Sequence, residues 1–170
     1  MSYRTYTYLA ADWDNDKEVI DKLRSWNDSE YWGLSFKDAH DLMQSSDSSL
    51  NCSIKDNLGD RMDLSKTFVL IVGDKTKSLR AGSCSYCSHY SYSSGCDKGW
   101  STSLKSFIEY ECDKAVRDGL KIVVIYNSAY VFKNRCPDVV VDKGTHIAAY
   151  SWENGSKKWN YTAIKKAIMG

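Results

Sequence analysis

The sequence predicts an α/β fold with a doubly wound, flavodoxin-like parallel sheet of five strands in the order 2-1-3-4-5. Two continuously apolar runs, TFVLIVG at residues 67–73 and KIVVIYN at residues 121–127, are typical of strands covered on both faces. Strand-like segments alternate with segments of helical periodicity, which favours a parallel sheet with helices on both faces. Right-handed crossovers then favour the doubly wound arrangement.

Each element has its own signal along the chain. The predicted strands lie near residues 5–11, 33–37, 67–73, 121–127 and 146–152. Apolar residues at helical spacing predict three of the helices, namely Val19, Ile20, Leu23 and Trp26, then Leu50, Ile54, Leu58 and Met62, and finally Ala163, Ile164, Ala167 and Ile168. The remaining helix covers residues 103–118 and ends at Gly119, and an Asn-Gly pair in ENGSKK predicts a tight turn before the last helix.

Length and composition favour one ordinary globular domain. The 170 residues fit a single core, interrupted by a Ser/Tyr/Cys-rich insert at about residues 80–102. The formal net charge of +1 gives no basic excess for nucleic acid or an anionic membrane, and no apolar run approaches the roughly 20 residues that span a bilayer. The N-terminus has no apolar segment typical of a secretion signal, so we expect a cytoplasmic protein.

The predicted topology places a ligand site before any motif is considered. In doubly wound sheets, ligands bind beyond the carboxyl ends of the strands, at the switch point between strands 1 and 3. Ala10 and Asp12 end strand 1 and Asn127 ends strand 4, so these residues are candidates for substrate binding. Tyr6 and Tyr8 alternate on strand 1, and whichever faces the crevice can stack on a ligand ring, although core packing explains either one alone.

Glu111 lies at the edge of the predicted buried face of the third helix. It follows Ile108 by three positions and Phe107 by four, which brings its carboxylate towards the crevice. A structural interpretation is a negative charge favoured by the helix dipole near the N-terminus. A functional interpretation is an acid in the ligand site.

The insert contains a possible set of metal ligands. Cys84, Cys87, His89 and Cys96 have the spacing C-x2-C-x-H-x6-C, and three thiolates with one imidazole suit a tetrahedral zinc ion. The short gap before His89 strains simultaneous coordination. The alternative interpretation is an irregular lid beside the crevice, whose tyrosines pack on the rim of the sheet.

Several segments together resemble the TIR-like family of bacterial signalling proteins, in the branch used as the TIR subunit of Thoeris anti-phage defence. The segments are FIEYE before CDKAVRDGLKIVVIYN, TFVLIVGDKT and AAYSWENGSKKW. Phe107 and Glu111 match the family's aromatic-x-x-x-Glu spacing, although the family often has Trp where this chain has Phe107. FKDAH resembles the family's aromatic-Asp signature after strand 2, which implies that Phe36, Asp38 and His40 shape the site. Loop polarity and helix capping are the alternative explanation for Asp38 and His40.

The resemblance implies an enzyme that cleaves NAD at the nicotinamide–ribose bond and hydrolyses or cyclises the ADP-ribose. Glu111 would stabilise the oxocarbenium-like ribose, and the position of the acceptor hydroxyl would decide between linear and cyclic products. The implied partners are NAD as substrate, further copies of the chain and an effector that reads the nucleotide signal. The alternative is a non-catalytic module that acts by self-association or partner binding, because a fold of this kind hosts many functions.

Overall fold

The computed structural model describes residues 4–34, 36, 38, 50–99 and 102–170. In chain order, the elements are β1 (Tyr6–Ala10), α1 (Lys17–Asp28), α2 (Asn51–Asp63), β2 (Ser65–Val72), β3 (Tyr90–Ser91), β4 (Gly95–Cys96), α3 (Phe107–Arg117), β5 (Lys121–Tyr126), β6 (Thr145–Ala148), β7 (Tyr150–Glu153), β8 (Ser156–Trp159) and α4 (Tyr161–Met169). The predicted α/β architecture is confirmed. All four helices form where the apolar periodicity predicts them, within a few residues at their ends.

Among the described residues, the central sheet has four parallel strands in the order β1-β2-β5-β6. These strands stand in the places of strands 1, 3, 4 and 5 of the predicted order. The predicted second strand at residues 33–37 lies partly outside the described residues, so the five-stranded order stays a prediction. A single parallel bridge joins Asp38 to Thr7 of β1.

Side chains alternate between two apolar layers, one on each face of the sheet. In the α2/α3 layer, helices α2 and α3 cover one set of strand residues, Tyr8, Ala10, Phe68, Leu70, Val72, Ile122, Val124 and Tyr126. In the α1/α4 layer, helices α1 and α4 cover the other set, Leu9, Val69, Ile71, Val123 and Ile125. Both faces of β2 and β5 are therefore buried, which explains why these strands read as continuous apolar runs.

The predicted last strand at residues 146–152 is wrong as one element, because the chain leaves the sheet at Ala149. Strand β6 ends before Ala149, and β7 pairs with β8 as an antiparallel hairpin. Asn160 stabilises this bend, since its side-chain amide donates to the Ala148 carbonyl at 2.8 Å and its backbone N–H donates to the Ala149 carbonyl at 3.0 Å. The predicted Asn-Gly turn forms at the hairpin tip, where Asn154 and Gly155 both have positive φ, at 51° and 76°.

The described part of the insert is short irregular structure, and its role as a lid beside the crevice stays a prediction. It contains one 3₁₀ turn, Cys84–Tyr86, and the two-residue strands β3 and β4, which form a hairpin. Its cysteine-bearing part lies against Asn51 and Cys52 at the start of α2. No helix in the described part of the chain is long and apolar enough to cross a bilayer.

Candidate functional site

A cavity of about 320 Å³ lies at the carboxyl end of β1, between helices α2 and α3. Its lining comes from residues 11–14 after β1, from Ile54, Leu58 and Arg61 of α2, from Leu79 and Ala81, and from Phe107, Ile108 and Glu111 of α3. Two larger hollows, of about 560 and 780 Å³, have linings that are mostly exposed or half-buried. The cavity between α2 and α3 instead has three buried charged side chains, Asp12, Arg61 and Glu111, in its wall.

Glu111 is a buried acidic group in the wall of this cavity. It is 5% exposed, and its Oε1 accepts a short hydrogen bond from the Tyr8 hydroxyl on β1. A different residue stabilises the start of α3, because Ser106 and Glu109 form a capping box with bonds of 3.1 and 2.7 Å. The helix start therefore does not need Glu111, and stabilisation of the helix N-terminus does not explain this carboxyl.

The surroundings of Glu111 change its protonation. Burial raises its pKa from 4.5 to about 8, while the hydrogen bond from Tyr8 and the positive charge of Arg61 oppose part of this rise. Burial also raises the pKa of Tyr8 well above its usual range. The phenol therefore stays protonated and acts as the hydrogen-bond donor to Glu111. A carboxyl whose pKa lies this near neutrality gains or loses its proton in response to a bound charge.

Arg61 is a site residue that the sequence analysis missed. It is 4% exposed, and its Nε and Nη2 have no hydrogen-bond partner among the described residues. A sequence signal was present, because Arg61 follows Leu58 by three positions and Ile54 by seven, which puts a charge on the apolar stripe of α2. A charged residue on a buried stripe is costly and calls for a partner.

Two other predicted site residues line the same cavity. The Asp12 carboxylate accepts hydrogen bonds from the Asn15 side chain at 2.5 Å and from the Asp14 backbone at 3.2 Å, which fixes the loop after β1. Phe107 forms an apolar wall at the first residue of α3. The Phe107 ring packs so closely on Gly82 that a Cβ there would lie 2.5 Å from the ring, so Gly82 allows this wall to form.

Tyr8 and Ala10 reach the site from the core rather than from the cavity wall. The Tyr8 ring is fully buried and stacks on Phe68 with ring centroids 6.0 Å apart, so only its hydroxyl acts on the site, through Glu111. Ala10 is 1% exposed and packs in the α2/α3 layer. Core packing, the alternative interpretation of this ring, therefore describes Tyr8 in this structure, and contact of Tyr8 with a ligand stays a prediction.

Three predicted site residues lie away from Glu111. Phe36 packs in the α1/α4 layer, and the Asp38 carboxylate pairs with Arg24 of α1 at 3.0 Å. Asn127 donates to the carboxylate of Asp16 at 3.0 Å, at the end of β5. Phe36 and Asp38 thus contact the α1/α4 side of the sheet, whereas Glu111 lies on the α2/α3 side. His40 lies outside the described residues.

The proposed zinc ligands are neighbours without metal-site geometry. Cys84, Cys87, His89 and Cys96 line one small pocket against α2, together with Cys52. The His89 ring pairs with the Asp97 carboxylate, and Cys84 Sγ accepts from the Ser103 backbone at 3.2 Å. Within the described ranges, no three Cys, His, Asp or Glu side chains are arranged to hold a metal ion. The zinc site stays a prediction.

Comparison with known families bears on the first part of this site. Residues 1–81 match the family model described as Thoeris protein ThsB, TIR-like domain. No curated protein matches the chain. The match confirms the resemblance to Thoeris TIR-like proteins, and it includes Tyr8, Asp12 and Arg61. It ends before Phe107 and Glu111, which the fold brings to the same cavity.

Proposed function

We propose that this chain is a TIR-like, defence-related enzyme. It cleaves NAD at the nicotinamide–ribose bond and releases a linear or cyclic ADP-ribose signal. The observation that carries the proposal is the buried Glu111 carboxyl, held by Tyr8 in the wall of a cavity beyond β1. The cavity volume of about 320 Å³ falls in the range of roughly 300–1,000 Å³ that is usual for small-molecule sites.

The chemistry of the bond supports a carboxylate in this place. When the C–N bond breaks, nicotinamide leaves with the electron pair and the ribose carbon becomes oxocarbenium-like. A carboxylate beside that carbon stabilises the positive charge, and it does so strongly in a site that excludes water. The positive charge of the bound nicotinamide ring also favours the ionised form of Glu111, whose pKa of about 8 makes proton loss accessible near neutral pH.

The second half of the reaction needs an acceptor for the ribose carbon. Water gives linear ADP-ribose, and a hydroxyl or ring nitrogen of the same nucleotide gives a cyclic product. The position of the acceptor relative to the ribose carbon decides between the two products. An effector protein that binds the released nucleotide completes the proposed signalling function.

Glu111→Gln tests the proposal, because the substitution keeps the shape of the side chain and removes its charge. We expect nicotinamide release to fall by about 10²–10³, as for the loss of other electrostatic stabilisers. The measurement is chromatographic detection of nicotinamide from NAD, with purified protein in the presence and absence of lysate from phage-infected cells. Glu109→Gln is the matched control, since glutamine preserves a capping box on the same helix. Equal rates for wild type and Glu111→Gln would contradict the proposal.

An exposed aromatic surface favours self-association as a second function. Tyr31 is 86% exposed and Trp32 is 42% exposed, and their rings pack edge to face with centroids 5.1 Å apart. Exposed aromatic groups are common at protein interfaces. Sedimentation of wild type and Trp32→Ser tests this role, and an assembly that survives in Glu111→Gln but is lost in Trp32→Ser would separate association from catalysis.

A further inference from the structure

Arg61 presents a buried positive charge that the described fold does not neutralise. Its Nε and Nη2 are shielded from solvent and have no hydrogen-bond partner among the described residues. Arg61 is the one cationic side chain on the described lining of the Glu111 cavity. Its positive charge reaches both Tyr8 and Glu111, as the lowering effect on the pKa of each shows. Arg61 therefore belongs electrostatically to the same site as the carboxyl.

The other buried cations of this layer behave differently. Lys55, on the same helix and 5% exposed, donates to the Lys105 carbonyl at 2.6 Å and to Ser103 Oγ at 3.1 Å. Lys114 of α3 pairs with Asp63 at 2.6 Å and with Asp118 at 2.8 Å. An unpaired buried charge costs several kcal/mol, so a partner for Arg61 that arrives from outside would recover a large free energy.

The unpartnered atoms of Arg61 indicate the kind of partner. Nε–H and Nη2–H point to the same side of the planar guanidinium, and this edge binds two oxygens of a phosphate or carboxylate at once. No hydrogen bond among the described residues holds the guanidinium, so turning this edge into the cavity breaks none. Glu111 is a poor internal partner, because its Oε1 already accepts from Tyr8 and its raised pKa keeps it largely neutral.

We propose that Arg61 is the phosphate-binding residue of the Glu111 cavity and takes the diphosphate oxygens of a nucleotide through its Nε–Nη2 edge. The identity of that nucleotide as a dinucleotide substrate rests on the proposed function. The described lining carries Arg61 and three acidic residues, Asp12, Asp14 and Glu111, so Arg61 is the one group there that attracts a diphosphate. Glu111 faces the cationic end of the substrate, and Arg61 holds the anionic diphosphate, so the two charges fix the direction in which the substrate enters.

Binding experiments without catalysis test this subsite. The probes are ADP-ribose and ADP, which carry the diphosphate, and nicotinamide riboside, which carries no phosphate. By calorimetry, we expect Arg61→Met to lower the affinity for ADP-ribose and for ADP by about tenfold to a hundredfold, because charge-assisted hydrogen bonds are lost. Arg61→Lys keeps the positive charge but loses the paired N–H donors of the guanidinium, so its affinity for ADP-ribose should lie between those of wild type and Arg61→Met. Binding of nicotinamide riboside should not change.

Thermal stability without ligand gives an independent readout. Because Arg61 lacks a partner, Arg61→Met should melt at or above the wild-type temperature, whereas Lys55→Met, which removes a partnered buried cation, should melt lower. Equal ADP-ribose affinity in wild type and Arg61→Met would overturn the proposal, and so would absence of ADP-ribose binding by the wild type. A drop in melting temperature of Arg61→Met as large as that of Lys55→Met would also overturn it.

The two proposals fail in different ways. If no condition produces nicotinamide release but ADP-ribose binding still depends on Arg61, the phosphate subsite stands and the proposed cleavage fails. If Glu111→Gln abolishes cleavage while Arg61→Met leaves ADP-ribose affinity unchanged, the cleavage stands and the phosphate subsite fails.

Discussion

The two layers of this sheet are built from similar apolar residues but differ in what else they bury. Helices α1 and α4 bury only apolar side chains, such as Leu23 and Ile164. Helices α2 and α3 bury an apolar stripe of the same kind and four charged side chains as well, Lys55, Arg61, Glu111 and Lys114. The difference separates a layer that mainly stabilises the fold from a layer that also holds the candidate site.

The charges of the α2/α3 layer differ in how well the fold satisfies them. Lys55 and Lys114 have oxygen partners within 3.1 Å, and such pairs stabilise the arrangement of α2, α3 and the segment before α3. Glu111 and Arg61 lie at the cavity and are less well satisfied, one being largely neutral and the other unpartnered. Charged groups that the fold leaves poorly satisfied, at the cost of stability, are typical of a functional site in an otherwise well-packed layer.

The largest expected difference between the layers is in the pH dependence of stability, which the α2/α3 layer should show because it buries Glu111. Glu111 has a raised pKa in the folded protein, so it releases its proton more readily when unfolded. Its contribution to stability is therefore complete below pH 4.5 and is lost as the pH rises towards about 8. Across this window, the free energy of unfolding falls by up to about 1.4 kcal/mol per pH unit from this group.

Denaturant unfolding of wild type and Glu111→Gln between pH 4.5 and 8 measures this contribution as a difference between two curves. Other groups also contribute to the pH dependence, among them Asp16, whose pKa burial raises, but they are common to both proteins. We expect the wild-type curve to fall relative to the Glu111→Gln curve as the pH rises. Parallel curves would mean that Glu111 is ionised in the folded protein throughout this range.

The next effect is confined to the α1/α4 layer. Leu23 is fully buried there, and Leu23→Ala should lower the free energy of unfolding by about 2–5 kcal/mol through lost contacts and a cavity. The rate of nicotinamide release per folded molecule should not change, because the sheet separates Leu23 from Glu111. Denaturant unfolding and the rate measured below the melting transition check both parts. A rate that falls with Leu23→Ala in the fully folded protein would show that the layers are coupled.

The sequence predicted the framework of the molecule better than its site. Apolar periodicity located β2, β5 and all four helices, because strands and helices that pack on a core must repeat apolar residues at fixed spacing. The aromatic-x-x-x-Glu spacing identified Phe107 and Glu111, which do share the cavity. The break at Ala149 was not predictable from periodicity, since residues on both sides of it have strand-like character and the bend depends on bonds from Asn160.

The remaining site residues depend on which face of the sheet each side chain occupies. Phe36 and Asp38 were grouped with Glu111 by their place after a predicted strand, but they contact α1 and its layer. Tyr8 was predicted to touch the ligand, and only its hydroxyl approaches the site, through a bond to a helix 103 residues later. Contacts of this kind join distant parts of the chain, and local sequence patterns do not record them.

Tyr8→Phe is expected to have the smallest effect and tests the link between the core of the α2/α3 layer and its site. Removing the hydroxyl should lower the free energy of unfolding by about 0.5–1.5 kcal/mol, the usual contribution of one hydrogen bond. The bond from Tyr8 lowers the pKa of Glu111, so its loss should raise that pKa further. If the carboxylate is the active form, nicotinamide release rises with pH through this pKa, and Tyr8→Phe should move the rise to higher pH.

Tyr126→Phe is the matched control for this last prediction. Tyr126 is fully buried in the same layer, and its hydroxyl pairs at 2.8 Å with Nδ1 of His146, which lies on the edge strand β6. Its loss should cost a similar free energy of unfolding without moving the pH profile of nicotinamide release. A profile that shifts equally in both variants would trace the effect to general loosening of the layer. A shift in Tyr8→Phe alone would show that Tyr8 positions Glu111 and lowers its pKa. A purely structural tyrosine would change stability without changing the pH at which the site becomes active.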